Sequence, residues 1–148
     1  MRIRILAVGT IKEDYIKRGI QFYIEKLRKK WDIELVEVKE EEEPKNPAHI
    51  EKVLEIEGER ILDKIKKESY VVVLAIEGKE ISTDEFSALI KNAIEEGYKD
   101  ITFVIGGSLG LWHKVKERSD ESISFSRMTF PHQIARLILL EQIYRVFS

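Results

Sequence analysis

The sequence predicts an α/β fold, a mostly parallel sheet with helices on both faces. Short apolar runs alternate with longer amphipathic segments, as strands separated by crossover helices do. Tyr70 to Ile76 (YVVVLAI) is apolar throughout, as in a central strand covered on both faces. Ser82 and Glu85 stand three apart, a capping box that opens a helix.

The first strand runs from Arg2 to Val8 and closes at Gly9. A helix follows from about Lys12 to Lys30, with Tyr15, Ile16, Ile20, Tyr23, Ile24 and Leu27 on one face and charged residues on the other. Ile33 to Val38 alternates apolar and acidic residues, as a strand near the sheet edge does, and Glu40 to Pro47 reads as an acidic, proline-containing loop. The next helix spans about Ala48 to Lys67, with Gly58 as a weak point inside it. After the strand at Tyr70–Ile76, Glu77-Gly78-Lys79 reads as a turn. The helix opened by Ser82 runs to about Glu96 and stops at Gly97, and Ile101 to Ile105 is a fourth, buried strand.

Gly106-Gly107-Ser108-Leu109-Gly110 forms a glycine-rich turn, and Leu111 to Arg118 a short helix with a basic face. Ile123 to Phe125 is a short strand. The last helix, Pro131 to Phe147, is apolar nearly all round. Such a helix on a small monomer exposes a large apolar patch, so it is either threaded through the fold or buried by a second subunit. Neither an internal repeat nor a linker interrupts the chain, and residues 1–148 read as one domain.

Composition excludes several chemistries. With no cysteine there is no disulfide, no thiolate nucleophile and no sulfur-bound zinc, and His49, His113 and His132 lack metal-site spacing. No stretch approaches the ~20 apolar residues of a membrane span, so a soluble, cytoplasmic protein is expected, with neither membrane nor metal as partner. The net charge of −2 means that any nucleic-acid binding must rest on local patches. Serine-hydrolase elbows, HExxH and phosphate-loop signatures are all missing.

In open α/β sheets ligands bind beyond the carboxyl ends of the strands, which directs attention to the loops after Ile76, Ile105 and Phe125. Gly106 and Gly107 allow a backbone to approach a ligand closely, although a tight turn explains them equally well. Ser124 to His132 packs hydroxyls, aromatics, one Arg and one His between a short strand and the final helix. Such a loop suits an adenosine moiety, or else a packed interface.

The blocks IRILAVG, LAIEGK, FVIGGSLGL and SFSRMTFPHQIARLILLEQIYRVF together resemble the small SPOUT-class family of ribosomal large-subunit methyltransferases that methylate N3 of a pseudouridine. The likeness runs through the whole chain in order. It implies a trefoil knot in the C-terminal third, a homodimer, and S-adenosylmethionine bound in the knot. Carried over by position, the cofactor contacts fall on Leu74, Gly106, Phe125, Ser126, Arg127, Met128, Thr129 and Phe130. His132, Glu141 and Arg145 match polar positions of the family's terminal block and are the candidates for orienting the base, accepting its N3 proton or holding phosphate. Glu141 and Arg145, four apart on one helix, can equally pair with each other. Lys114, Lys116 and Arg118, with Arg127 and Arg145 near the site, are the candidate grip on ribosomal RNA. Members of the family continue past the final helix into a short tail with a Pro- or Ala-Tyr-His element, whereas this sequence ends at Ser148. The competing expectations are a non-catalytic cofactor- or RNA-binding dimer and an unknotted nucleotide-binding protein.

Overall fold

A computed structural model describes residues 1–147; the last position of the expected domain, Ser148, lies outside them. Five strands, β1 (Arg2–Val8), β2 (Asp32–Val38), β3 (Tyr70–Glu80), β4 (Asp100–Ile105) and β5 (Glu121–Ser124), form one sheet in the order β2-β1-β4-β3-β5. Every pairing is parallel. Five helices connect or follow them: α1 (Asp14–Arg28), α2 (Ile50–Lys64), α3 (Thr83–Glu95), α4 (His113–Arg118) and α5 (His132–Phe147). A 3-10 turn at Pro47–His49 leads into α2.

The period of two along each strand sorts side chains into two cores. Ile3, Ile5, Val72, Ile101 and Phe103 face α1, α3 and α5, whose Ile20, Ile90 and Leu139 are buried against them. Leu6, Val8, Val71, Val73 and Val104 face the other way, onto α2 and α4 through Ile61 and Val115. Helices therefore cover both faces, and β4, buried along its whole length, is central. β2 lies at the edge, which is why its outer residues can be acidic.

Local signals place the helix ends. Ser82 accepts the Glu85 N–H at 3.1 Å while the Glu85 carboxylate accepts the Ser82 N–H at 2.9 Å, the reciprocal cap expected. Gly97 adopts φ +98° just past α3. Gly58 is buried within α2, where an added Cβ would lie 2.6 Å from the Trp112 ring, so this glycine lets α2 sit against the chain leading into α4.

One local expectation is corrected. Glu77-Gly78-Lys79 is not a turn after β3 but part of the strand. Leu74 pairs with Ile123, and after a break in register Lys79 pairs with Ile123 and Glu80 with Ser124. Ala75 to Gly78 is thus an out-of-register run within β3. A Cβ at Gly78 would lie 2.7 Å from the Ile123 backbone, so the glycine serves close approach of two strands.

The final helix is partly covered within the chain itself. Leu139, Leu140 and Ile143 are fully buried, and Gly19 of α1 lets Leu137 pack within ordinary reach of the α1 backbone. Tyr23–Tyr144 and Trp31–Phe147 ring pairs extend that contact. Ile134, Leu137, Ile138 and Tyr144 stay only partly covered.

Arg118 is committed to the fold. Its guanidinium donates to the carbonyls of Lys66, Lys67 and Ser69 at 3.1 to 3.2 Å, closing the chain between α2 and β3. Arg118→Ala is expected to lower stability by about 1.5 kcal/mol, the net value of charge-assisted hydrogen bonds, read by urea denaturation.

Candidate functional site

The carboxyl ends of β3, β4 and β5 open onto a cleft of about 870 Å³, in the range of small-molecule sites. Three segments wall it: the out-of-register run of β3, the glycine loop after β4, and the loop between β5 and α5. Leu74, Gly106, Phe125, Ser126, Met128, Thr129, Phe130 and His132 all line it. Of the expected cofactor residues only Arg127 does not; its side chain is 93% exposed and stands 3.5 Å from Glu80. Glu141 and Arg145 lie further along α5, outside the lining, and pair with each other.

The glycine loop closes on itself through its own backbone. Gly107 and Gly110 form an antiparallel bridge, the Gly110 N–H donating to the Gly107 carbonyl at 3.1 Å, with Gly110 at φ +95°. A Cβ at Gly106 would lie 2.5 Å from the Gly110 carbonyl oxygen. Only glycine fits there, because the loop closes on itself at that point.

Serine hydroxyls fold the loop after β5. Ser124 Oγ donates to the Ser126 carbonyl at 2.8 Å, and the Met128 N–H donates to Ser126 Oγ at 2.9 Å. These local bonds turn the chain without regular structure. Phe125 is anchored edge-on against Phe86, while Met128 is 71% exposed at the rim.

The cleft mixes apolar walls with few polar groups. Leu74, Ile105, Leu111 and Ile123 supply the walls. Glu77 and Lys116 form an ion pair at the rim, and the Lys116 ammonium holds the Glu77 carboxyl below its usual range. Lys116 is therefore already engaged, as is Arg118. Of the expected RNA grip, Lys114 is exposed, its ammonium 5.1 Å from the centre of the Trp112 ring.

Arg136, not among the site residues expected from the sequence, governs the head of α5. It is completely buried, donates to Glu37 at 2.6 Å and to the Val8 and Gly9 carbonyls at 2.8 Å each, and so ties α5 to the ends of β1 and β2. The available signal was a lone Arg on the helix face that also carries Leu139, Leu140 and Ile143.

His132 sits one turn before Arg136. Its Nδ1 is buried without a hydrogen-bond partner among the described residues. Burial, and then the Arg136 charge, push its pKa down from the ordinary histidine value, leaving it neutral at pH 7. In the unfolded chain the imidazole takes up a proton more readily, so stability should be intact above about pH 6.5 and fall as the pH drops through that value. His132→Gln should remove this component of the pH profile, checked by denaturation between pH 5 and 8.

Comparison with known proteins gives consistent results. A family model described as "Predicted SPOUT methyltransferase" matches residues 1–148. The chain is 68% identical over 144 residues to Ribosomal RNA large subunit methyltransferase H 2 of Caldanaerobacter subterraneus subsp. tengcongensis, covering 97% of each chain. It is 58% identical to Ribosomal RNA large subunit methyltransferase H 1 of Thermoanaerobacter pseudethanolicus, covering 100% of this chain and 97% of that one. With Ribosomal RNA large subunit methyltransferase H of Streptococcus uberis it shares 48% identity, over 99% of this chain and 94% of that one.

Proposed function

The chain belongs to the SPOUT methyltransferase family, and from that premise we propose that it methylates N3 of a pseudouridine in large-subunit ribosomal RNA, as a cytoplasmic homodimer, with S-adenosylmethionine as donor. The observation that carries this reading is the cleft itself. Three segments far apart in sequence converge on it, and its glycine loop brings bare backbone to the wall.

The residues present suit the donor. The volume accommodates a nucleoside with an amino-acid arm, apolar side chains offer a surface for a purine, and the backbone of Gly106 and of the Ser126–Phe130 loop supplies polar groups at close range. Leu74, Gly106, Phe125, Ser126, Met128, Thr129 and Phe130 are assigned this role, with Arg127 at the outer edge. When bound, S-adenosylmethionine supplies an electrophilic methyl on sulfonium sulfur.

Transfer to a ring nitrogen forms an N–C bond as the S–C bond breaks, and the N3 proton must leave. The chain's contribution is chiefly alignment, with an acceptor for that proton. His132 is assigned this role, supported by its position in the cleft lining and by a burial that keeps it unprotonated near pH 7. Glu141 and Arg145, outside this chain's cleft, are assigned to a cleft completed by the second subunit, where they orient the base or hold phosphate. The partly covered side of α5, together with exposed Ile76, Met128 and Phe130 in the cleft lining, supports a second copy as the covering surface. The implied knot would place the cleft loops in one threaded unit.

Among the described residues no helix is long and apolar enough to cross a membrane, and no group of acidic and histidine side chains is arranged to hold a metal. The non-catalytic alternative is not favoured, since the relatives are named as methyltransferases. Calorimetric titration tests the donor assignment: S-adenosylmethionine should bind and NAD and ATP should not. Binding of NAD or ATP without S-adenosylmethionine would overturn it.

A further inference from the structure

Glu57 is an unusual residue to find under the glycine loop. It lies in the middle of α2 and is only 5% exposed. Its Oε2 accepts the Glu41 N–H at 3.0 Å. Its Oε1 lies 3.5 Å from where a Cβ on Gly107 would stand, so the carboxylate faces the Gly107 backbone in the loop that lines the cleft. One turn on, Arg60 donates to the Lys39 carbonyl at 2.9 Å and to Glu41 at 3.2 Å. The same segment is tied from its other end, where Ser108 of the glycine loop donates to Glu43 at 2.7 Å. Residues 39–43 therefore form a strap between α2 and the glycine loop, and Glu57 bonds the strap and faces the loop.

A buried carboxylate is costly, and a leucine of similar size would fill the space without desolvation. What leucine cannot do is accept a directed N–H bond. Burial raises the Glu57 pKa, with the Glu41 N–H opposing the rise, so the carboxyl is held in a site that penalises its charge. A residue kept there for packing alone would not need oxygen atoms.

We propose that Glu57 is a positioning residue for the methyl-donor site, acting through Glu41 and Gly107 to hold the strap against the glycine loop and so fix the loop's approach to the donor. This rests on the methyltransferase reading above. Glu57 does not touch the cleft and takes no part in the chemistry; its effect is on donor affinity.

The test is donor affinity and turnover in the full-length dimer, with S-adenosylmethionine as the titrant. Glu57→Leu should weaken binding about tenfold while kcat at saturating donor stays within about twofold, the signature of lost binding geometry rather than lost chemistry. Glu57→Gln keeps an oxygen for the Glu41 N–H and should recover most of the affinity. A merely structural role would lower the melting temperature in Glu57→Leu and leave affinity unchanged, which would overturn the proposal. Should Glu57→Leu fail to fold, Arg60→Met decides: it cuts the strap's other ties to α2 from a partly exposed position. Weakened donor binding in that variant supports the proposal, and unchanged binding overturns it. If the wild type itself does not bind S-adenosylmethionine, the methyltransferase reading fails first, independently of Glu57.

Discussion

Gly106→Ala should lower affinity for S-adenosylmethionine by roughly 100-fold, close to 3 kcal/mol, the upper range for forcing an extra carbon into a packed site. The sequence alone suggests that a side chain here would block the donor's path. The geometry adds an internal reason, since the new methyl meets the Gly110 carbonyl at 2.5 Å before it meets any ligand. Backbone must move, and the atoms that move wall the cleft. The loop lies beyond β4 rather than within it, so the sheet should persist. Calorimetry on a variant shown to be folded by circular dichroism checks this. Affinity within a few-fold of wild type would mean that the loop does not present backbone to the donor.

Arg136→Met should cost about 3 kcal/mol of stability, at the lower end for removing one member of a buried ion pair. Methionine matches much of the volume but leaves the Val8 and Gly9 carbonyls without their donor and Glu37 without its partner. Glu37 is partly exposed and can be rehydrated, which keeps the cost from rising further. Urea denaturation measures it. A loss under about 1 kcal/mol would show that apolar packing, not the guanidinium, docks α5 on the sheet. The Arg136 charge also opposes protonation of His132, so the histidine's pKa should rise in this variant.

The parts of the fold that local chemistry determines were legible in the sequence. β1 is bounded as its alternation and Gly9 imply, and the Ser82–Glu85 box and Gly97 bracket α3 as expected. The cleft loops followed from the rule that ligands sit beyond strand ends. What escaped depends on partners distant in sequence. Glu77-Gly78-Lys79 has turn composition, and only the β5 backbone beside it explains the glycine. Arg136 sits in an apolar helix where its partners are 99 to 128 residues away. Glu57 looks like any surface glutamate of α2 until the strap and the glycine loop close over it. Among the RNA candidates, Arg118 reads as surface charge but is spent on three carbonyls.

The proposed function requires that the cleft at the carboxyl ends of β3, β4 and β5 deliver a methyl group to ribosomal RNA. The most direct measurement is incorporation of label from methyl-tritiated S-adenosylmethionine into ribosomes that lack the modification, with the labelled base mapped. Label is expected on N3 of a large-subunit pseudouridine, lost together with donor binding in Gly106→Ala. Donor bound by the full-length protein with no label reaching the large-subunit RNA would contradict it.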